Sequence, residues 1–170
     1  MRIVWCVLIG LCSCAPEHSR MDAQLGLAYL QKGDRPRAKQ SLLRALENEP
    51  RSAVVNSSMA YFMEITGDIQ QASFFYKKAM RVAQIDDRGA HWNNYGAFLC
   101  RTGDPKQAAV YLLKAAHYFP YTYPALAYEN AGVCALGEGD KVAARAYFKQ
   151  ALLQDPLRKQ AADALMHLED

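Results

Sequence analysis

The side chains in this sequence with chemistry to offer are histidines, cysteines and amides, and their spacing excludes most catalysis. Four histidines, His18, His91, His117 and His167, lie far apart. No His-Glu-x-x-His or Cys-x-x-Cys spacing offers a metal site, and no Gly-rich loop offers a phosphate site. His91, beside Trp92, reads as a surface or core histidine rather than a catalytic base. The sequence therefore predicts no enzyme, no metal and no cofactor. What remains are Asn93, Asn94 and Asn130, whose amides can donate to and accept from a peptide backbone at once, and five cysteines.

These groups must be positioned by something, and the chain repeats itself. A Gly-Asp pair recurs at Gly33-Asp34, Gly67-Asp68, Gly103-Asp104 and Gly139-Asp140. Around the first pair, Leu25-Gly26, Tyr29, Ala38, Leu42, Ala45 and Pro50 fall at offsets typical of the tetratricopeptide repeat. Residues 89–122 repeat the pattern with Trp92, Tyr95-Gly96, Leu99, Ala108, Leu112, Ala115 and Pro120, and residues 125–158 with Tyr128, Ala131-Gly132, Ala135, Ala144, Phe148, Ala151 and Pro156. Residues 53–86 keep Met59-Ala60, Met63, Ala72, Tyr76 and Ala79 but have Gln84 in place of the proline. Small residues at fixed offsets let two antiparallel helices approach while large apolar ones fill the seam. Gly can end the first helix in the left-handed conformation, and the following Asp can cap the second.

This predicts an all-α, right-handed superhelical solenoid of four hairpins, 19–52, 53–86, 89–122 and 125–158. Extra residues near Gln84 to Arg88 and Tyr121 to Pro124 map to loops between hairpins. After Pro156, Leu157, Ala161, Ala164, Leu165 and Leu168 have helical spacing. Residues 159–170 are accordingly expected to form a helix that caps the last hairpin's apolar face.

The N-terminus differs in kind. Arg2 precedes the apolar run Ile3 to Leu11, too short to span a bilayer and suited to a secretory signal. Residues 1–13 are read as that signal. Leu11-Cys12-Ser13-Cys14 resembles a bacterial lipobox, which implies that Cys14 is acylated and that residues 14–18 form a lipidated tether. Ala15 follows rather than Asp, the pattern that in enteric-type lipoproteins implies export to the outer membrane. Cys6 and Cys12 would leave with the signal, so Cys100 and Cys134 remain as an even pair in an oxidising compartment. They are either bridged between neighbouring repeats or separately buried small hydrophobes.

The first helix of each hairpin is expected to face a concave groove through the second, fifth, ninth and twelfth positions of the repeat. In the N-terminal half these include Leu27, Leu30 and Tyr61, apolar side chains that would stay open to water unless a partner covers them. Otherwise Leu27 and Leu30 pack on neighbouring helices. Asn93, Asn94 and Asn130 join them as candidate groove residues, with hydrogen bonding inside a repeat as the alternative. Asn94 and Asn130 share an offset that in peptide-binding repeats often grips an extended ligand, but the Lys or Arg companions of a carboxylate clamp are missing.

The run His91-Trp92-Asn93-Asn94-Tyr95-Gly96-Ala97-Phe98-Leu99-Cys100, with Tyr128-Glu129-Asn130-Ala131-Gly132-Val133-Cys134, resembles the pilotin lipoproteins of type IV pilus systems. The resemblance implies a lipid-anchored protein on the periplasmic face of the bacterial outer membrane. Its partner would be the secretin subunit of the pilus system, whose localisation and assembly it would assist. Members of that family place the secretin contact in their first repeats, here Leu27, Leu30 and Tyr61. They carry six repeats where this sequence shows four and a cap.

Composition agrees with a single domain: 170 residues, 51% hydrophobic, net charge +3. Lys and Arg are scattered, and no basic stripe interleaves with aromatics as nucleic-acid binding requires. No nucleic acid and no small-molecule substrate is expected. Two other readings compete: a general periplasmic repeat lipoprotein serving cell-envelope or peptidoglycan assembly, and a cytosolic peptide-binding co-chaperone.

Overall fold

The computed structural model describes residues 15–169, and among these every regular element is an α-helix. The helices are α1 (Ala15–Gln31), α2 (Arg35–Asn48), α3 (Ala53–Ile65), α4 (Ile69–Val82), α5 (Arg88–Arg101), α6 (Pro105–Ala116), α7 (Pro124–Gly137), α8 (Lys141–Gln154) and α9 (Lys159–Glu169). Successive pairs form four hairpins, and α9 packs on α8 and α7.

Each hairpin turn is made the same way. The four turn glycines have φ between 76° and 89°, the left-handed region that L side chains rarely adopt. The Asp that follows accepts a hydrogen bond from the backbone N–H three residues on, at Arg37, Gln71, Gln107 and Ala143. That bond satisfies an amide that the helix itself leaves unpaired.

Close packing within a hairpin explains the second glycine position. A Cβ on Gly96 would lie 2.7 Å from Leu112 Cγ, and Gly26 and Gly132 meet Leu42 and Phe148 in the same way. One large residue of the second helix thus fills the space one glycine of the first leaves empty. The repeat with Ala60 pairs it with Tyr76 in a shared cluster that also holds Tyr95, Phe98 and Leu112.

Neighbouring first helices touch, α1 with α3, α3 with α5 and α5 with α7, whereas the second helices α2, α4, α6 and α8 do not touch one another. The stack therefore closes up on the first-helix side, and that side is the concave one. At the far end α9 places Ala161 and Leu168 against Tyr128, Phe148 and Ala151. Burying Leu168 there contributes about 2 kcal/mol by its apolar area.

One boundary is corrected. Residues 15–18, expected to belong to a tether, form the first turn of α1. A proline at position 16 is compatible with this, because the amide it lacks would have no helical partner in a first turn. The expected signal segment and the acylation site Cys14 lie outside the described residues.

Candidate functional site

The helices α1, α3, α5 and α7 line a groove of about 650 Å³. Leu27, Tyr61, Asn93, Asn94 and Asn130 all border it. Tyr61 is 40% exposed, Leu27 is half-buried and Asn94 is exposed.

Leu30 does not belong to this surface. It is buried and packs in the core cluster with Leu42 and Phe62. Three residues along a helix turn the side-chain direction by about 60° from Leu27, enough to swing Leu30 from the open face into the seam.

The asparagines divide the same way. Asn93 is only 3% exposed, and its Oδ1 accepts a hydrogen bond of 2.9 Å from Asn130 Nδ2. The bond crosses from α5 to α7, so it joins two repeats rather than closing within one. Asn94 keeps its amide on the open face.

Two polar groupings in the groove were not foreseen. In the first, Tyr76 Oη donates to Glu64 Oε2 at 2.9 Å, while Arg101 donates through Nε to Oε1 at 2.6 Å and through a terminal nitrogen to Oε2 at 3.2 Å. Burial, reinforced by the Glu64 carboxylate, pushes the Tyr76 phenol well above its ordinary range, so it stays a donor. The bonds to Glu64 hold the Arg101 guanidinium above its usual value. Arg101 lines the groove, but its fork is occupied by Glu64 and does not make the carboxylate clamp that the sequence lacks. The sequence signal was available: Glu64 and Arg101 carry opposite charges at adjoining offsets of neighbouring repeats.

The second grouping is Ser57, His91 and Asp87. Ser57 Oγ lies 2.7 Å from His91 Nδ1, and His91 Nε2 lies 3.6 Å from Asp87 Oδ2. His91 is a core histidine, 4% exposed, and burial lowers its pKa although Asp87 acts to raise it. The residue types invite comparison with a hydrolytic triad, but Ser57 sits inside α3, where backbone amides are committed to the helix. The geometry supplies no paired amide donors for an oxyanion. It ties α3 to α5 under the groove.

Cys100 and Cys134, placed side by side on α5 and α7 with Cα atoms 5.6 Å apart, form a disulfide. An ion pair reinforces the same end: Arg158, just before α9, donates to both oxygens of Glu129, whose side chain is 4% exposed. Among the described residues there is no cluster of His, Cys, Asp and Glu that could hold a metal ion. No helix among them is long and apolar enough to cross a membrane.

Comparison with known proteins places this geometry. Residues 23–52 match the family described as Tetratricopeptide repeat. The chain is 34% identical over 130 residues to the type IV pilus assembly protein PilF of Pseudomonas aeruginosa, a match covering 76% of this chain. It spans only 50% of that relative's length. A solved structure of Pseudomonas aeruginosa PilF superimposes with TM-score 0.78 at 28% identity, covering 90% of this chain and 68% of that one. A solved structure of PilW, described as a widely conserved type IV pilus biogenesis factor, gives TM-score 0.75 at 26% identity, with 89% and 70% covered.

Proposed function

Because this chain is a tetratricopeptide-repeat solenoid homologous to PilF and structurally similar to PilF and PilW, we propose that it serves type IV pilus assembly as a pilotin. In this reading it is an outer-membrane lipoprotein, acylated at Cys14, that holds the secretin subunit in its concave groove. Repeat scaffolds of this kind are typically non-enzymatic, and the proposed action is binding alone.

The observation that carries the reading is the mixed surface formed by Leu27, Tyr61 and Asn94 on the groove of the first helices. Leu27 and Tyr61 offer apolar area to a partner, and Asn94 offers a donor and an acceptor to its backbone. The polar groups beside them are paired across helices, Asn93 with Asn130, His91 with Ser57 and Glu64 with Arg101, and hold the helices in place. Acyl chains keep the scaffold at the bilayer, so a secretin subunit held in the groove is concentrated at the membrane it must enter.

The test is a pair of variants in a bacterium that assembles the pilus. Leu27→Asp with Tyr61→Asp, both on the open face, lowers the amount of secretin oligomer while the helical circular dichroism and unfolding midpoint stay near wild type. Unchanged oligomer levels with a folded variant would favour the general envelope-adaptor reading. Cys14→Ser moves the protein from the membrane to the soluble fraction, and unaltered fractionation removes the anchor.

A further inference from the structure

Helix direction alternates through the stack, so all the loops between hairpins lie on one edge and all the Gly-Asp turns lie on the other. The contacts trace the first edge. Glu17 and Arg20 of α1 share a cleft with loops 49–52 and 83–87. The start of α5 then meets the next loop, since a Cβ on Gly89 would lie 2.6 Å from Tyr121. Tyr121 in turn feels the charge of Arg158, in loop 155–158.

From the second hairpin onward, each loop of this edge presents a large apolar side chain to solvent. Ile85 is 63% exposed, Phe119 93%, Tyr123 64% and Leu157 90%. Tyr123 also meets the Tyr121 ring edge-on, and none of the four lies among the groove residues. The opposite edge carries the four capping Asp residues, and its most exposed apolar side chain, Val142, is 83% exposed beside the last of these turns.

We propose that the loop edge carrying Ile85, Phe119, Tyr123 and Leu157 rests on the lipid bilayer and inserts these side chains at its interface. The proposal rests on acylation of Cys14. Consecutive Cα atoms are about 3.8 Å apart, and α1 begins at Ala15, so acyl chains on Cys14 bring this edge, not the other, to the headgroups. Tyrosine and phenylalanine suit that depth, because an apolar ring can sit among acyl chains while a hydroxyl stays hydrated. Across the loops and helix starts of this edge, Arg20, Arg51, Arg88, Arg158 and Lys159 are matched by Glu17, Glu49, Asp86, Asp87 and Asp155. No positive field therefore draws the edge to anionic lipid, and the attraction is apolar and insensitive to salt.

The experiment uses the mature, acylated protein reconstituted in vesicles of phosphatidylethanolamine and brominated phosphatidylcholine. Phe119→Trp reports on the loop edge and Val142→Trp on the opposite edge, with Trp92 as their shared background. Brominated lipid quenches the added fluorescence of Phe119→Trp at least threefold more than that of Val142→Trp, in low and high salt alike. Leu157→Trp, in a separate loop, gives the same result and stands in if the change beside Pro120 disturbs folding. Equal quenching of both edges in protein that floats with the vesicles overturns the proposal and leaves the anchor intact. Mature protein that carries no acyl group on Cys14 and fails to float overturns both.

Discussion

The two halves of the solenoid are joined by different means. Between the first two hairpins the contact is apolar, with Leu30, Leu42, Met59 and Phe62 in one cluster. The ion pairs in that half, Arg37 with Asp34 and Arg44 with Asp22, lie at the surface and add little. Between the last two hairpins the seam holds a disulfide and the Asn93–Asn130 bond, while the Glu129–Arg158 pair ties α7 to the segment that leads into α9, which closes the end. The open apolar groove residues Leu27 and Tyr61 belong to the first half. The lesson is that specific cross-links are concentrated in the half that the cap helix closes, and apolar packing alone serves in the half that holds Leu27 and Tyr61.

The largest expected effect comes from removing one partner of the Glu129–Arg158 pair. Arg158→Ala leaves Glu129 charged and buried, and lowers unfolding free energy by about 3 kcal/mol or more in urea titration. A loss below about 1 kcal/mol would mean the C-terminal seam does not depend on this pair. Next, Cys100→Ser with Cys134→Ser opens a link between residues 34 apart in sequence and lowers stability by about 2–4 kcal/mol. Both changes should leave hydrogen exchange in α1 and α2 nearly untouched; a uniform rise along the chain would erase the contrast between the halves.

A smaller effect sharpens the comparison at the groove floor. Asn130→Ala strands the buried Asn93 amide and destabilises by about 1–2 kcal/mol, with exchange rising in α5 and α7. The smallest effect is one of pH. His91 has its pKa lowered by burial, so below about 6.5 the unfolded chain binds a proton that the native state resists. The contribution of His91 to stability therefore falls as pH drops below that value and is flat above it. His91→Gln, which removes the titrating group, flattens the slope when urea midpoints are measured at several pH values.

Much of the fold was legible because it is written within single repeats. The Gly-Asp pairs announced four left-handed turns and four caps, and the glycine at one offset facing a large residue at another announced the hairpin seam. The spacing of Ala161 and Leu168 announced α9. What could not be read depends on how one repeat rotates on the next. Leu27 and Leu30 look equivalent in sequence, and only the placement of α2 and α3 sends Leu30 inward. Asn93 and Asn94 are neighbours, yet their directions differ by about 100°, so one bonds Asn130 and the other meets the groove. Glu129 and Arg158 are 29 residues apart, and no periodicity within a repeat joins them.

The length of α1 has a geometric consequence. Its 17 residues rise about 25 Å, and with the loop edge on lipid the helices stand upright like the staves of a fence. Each further layer then adds about 10 Å of breadth along the membrane plane rather than height above it. A solenoid with more repeats, on this footing, would sweep a wider strip of the surface while keeping its Gly-Asp rim at the same altitude.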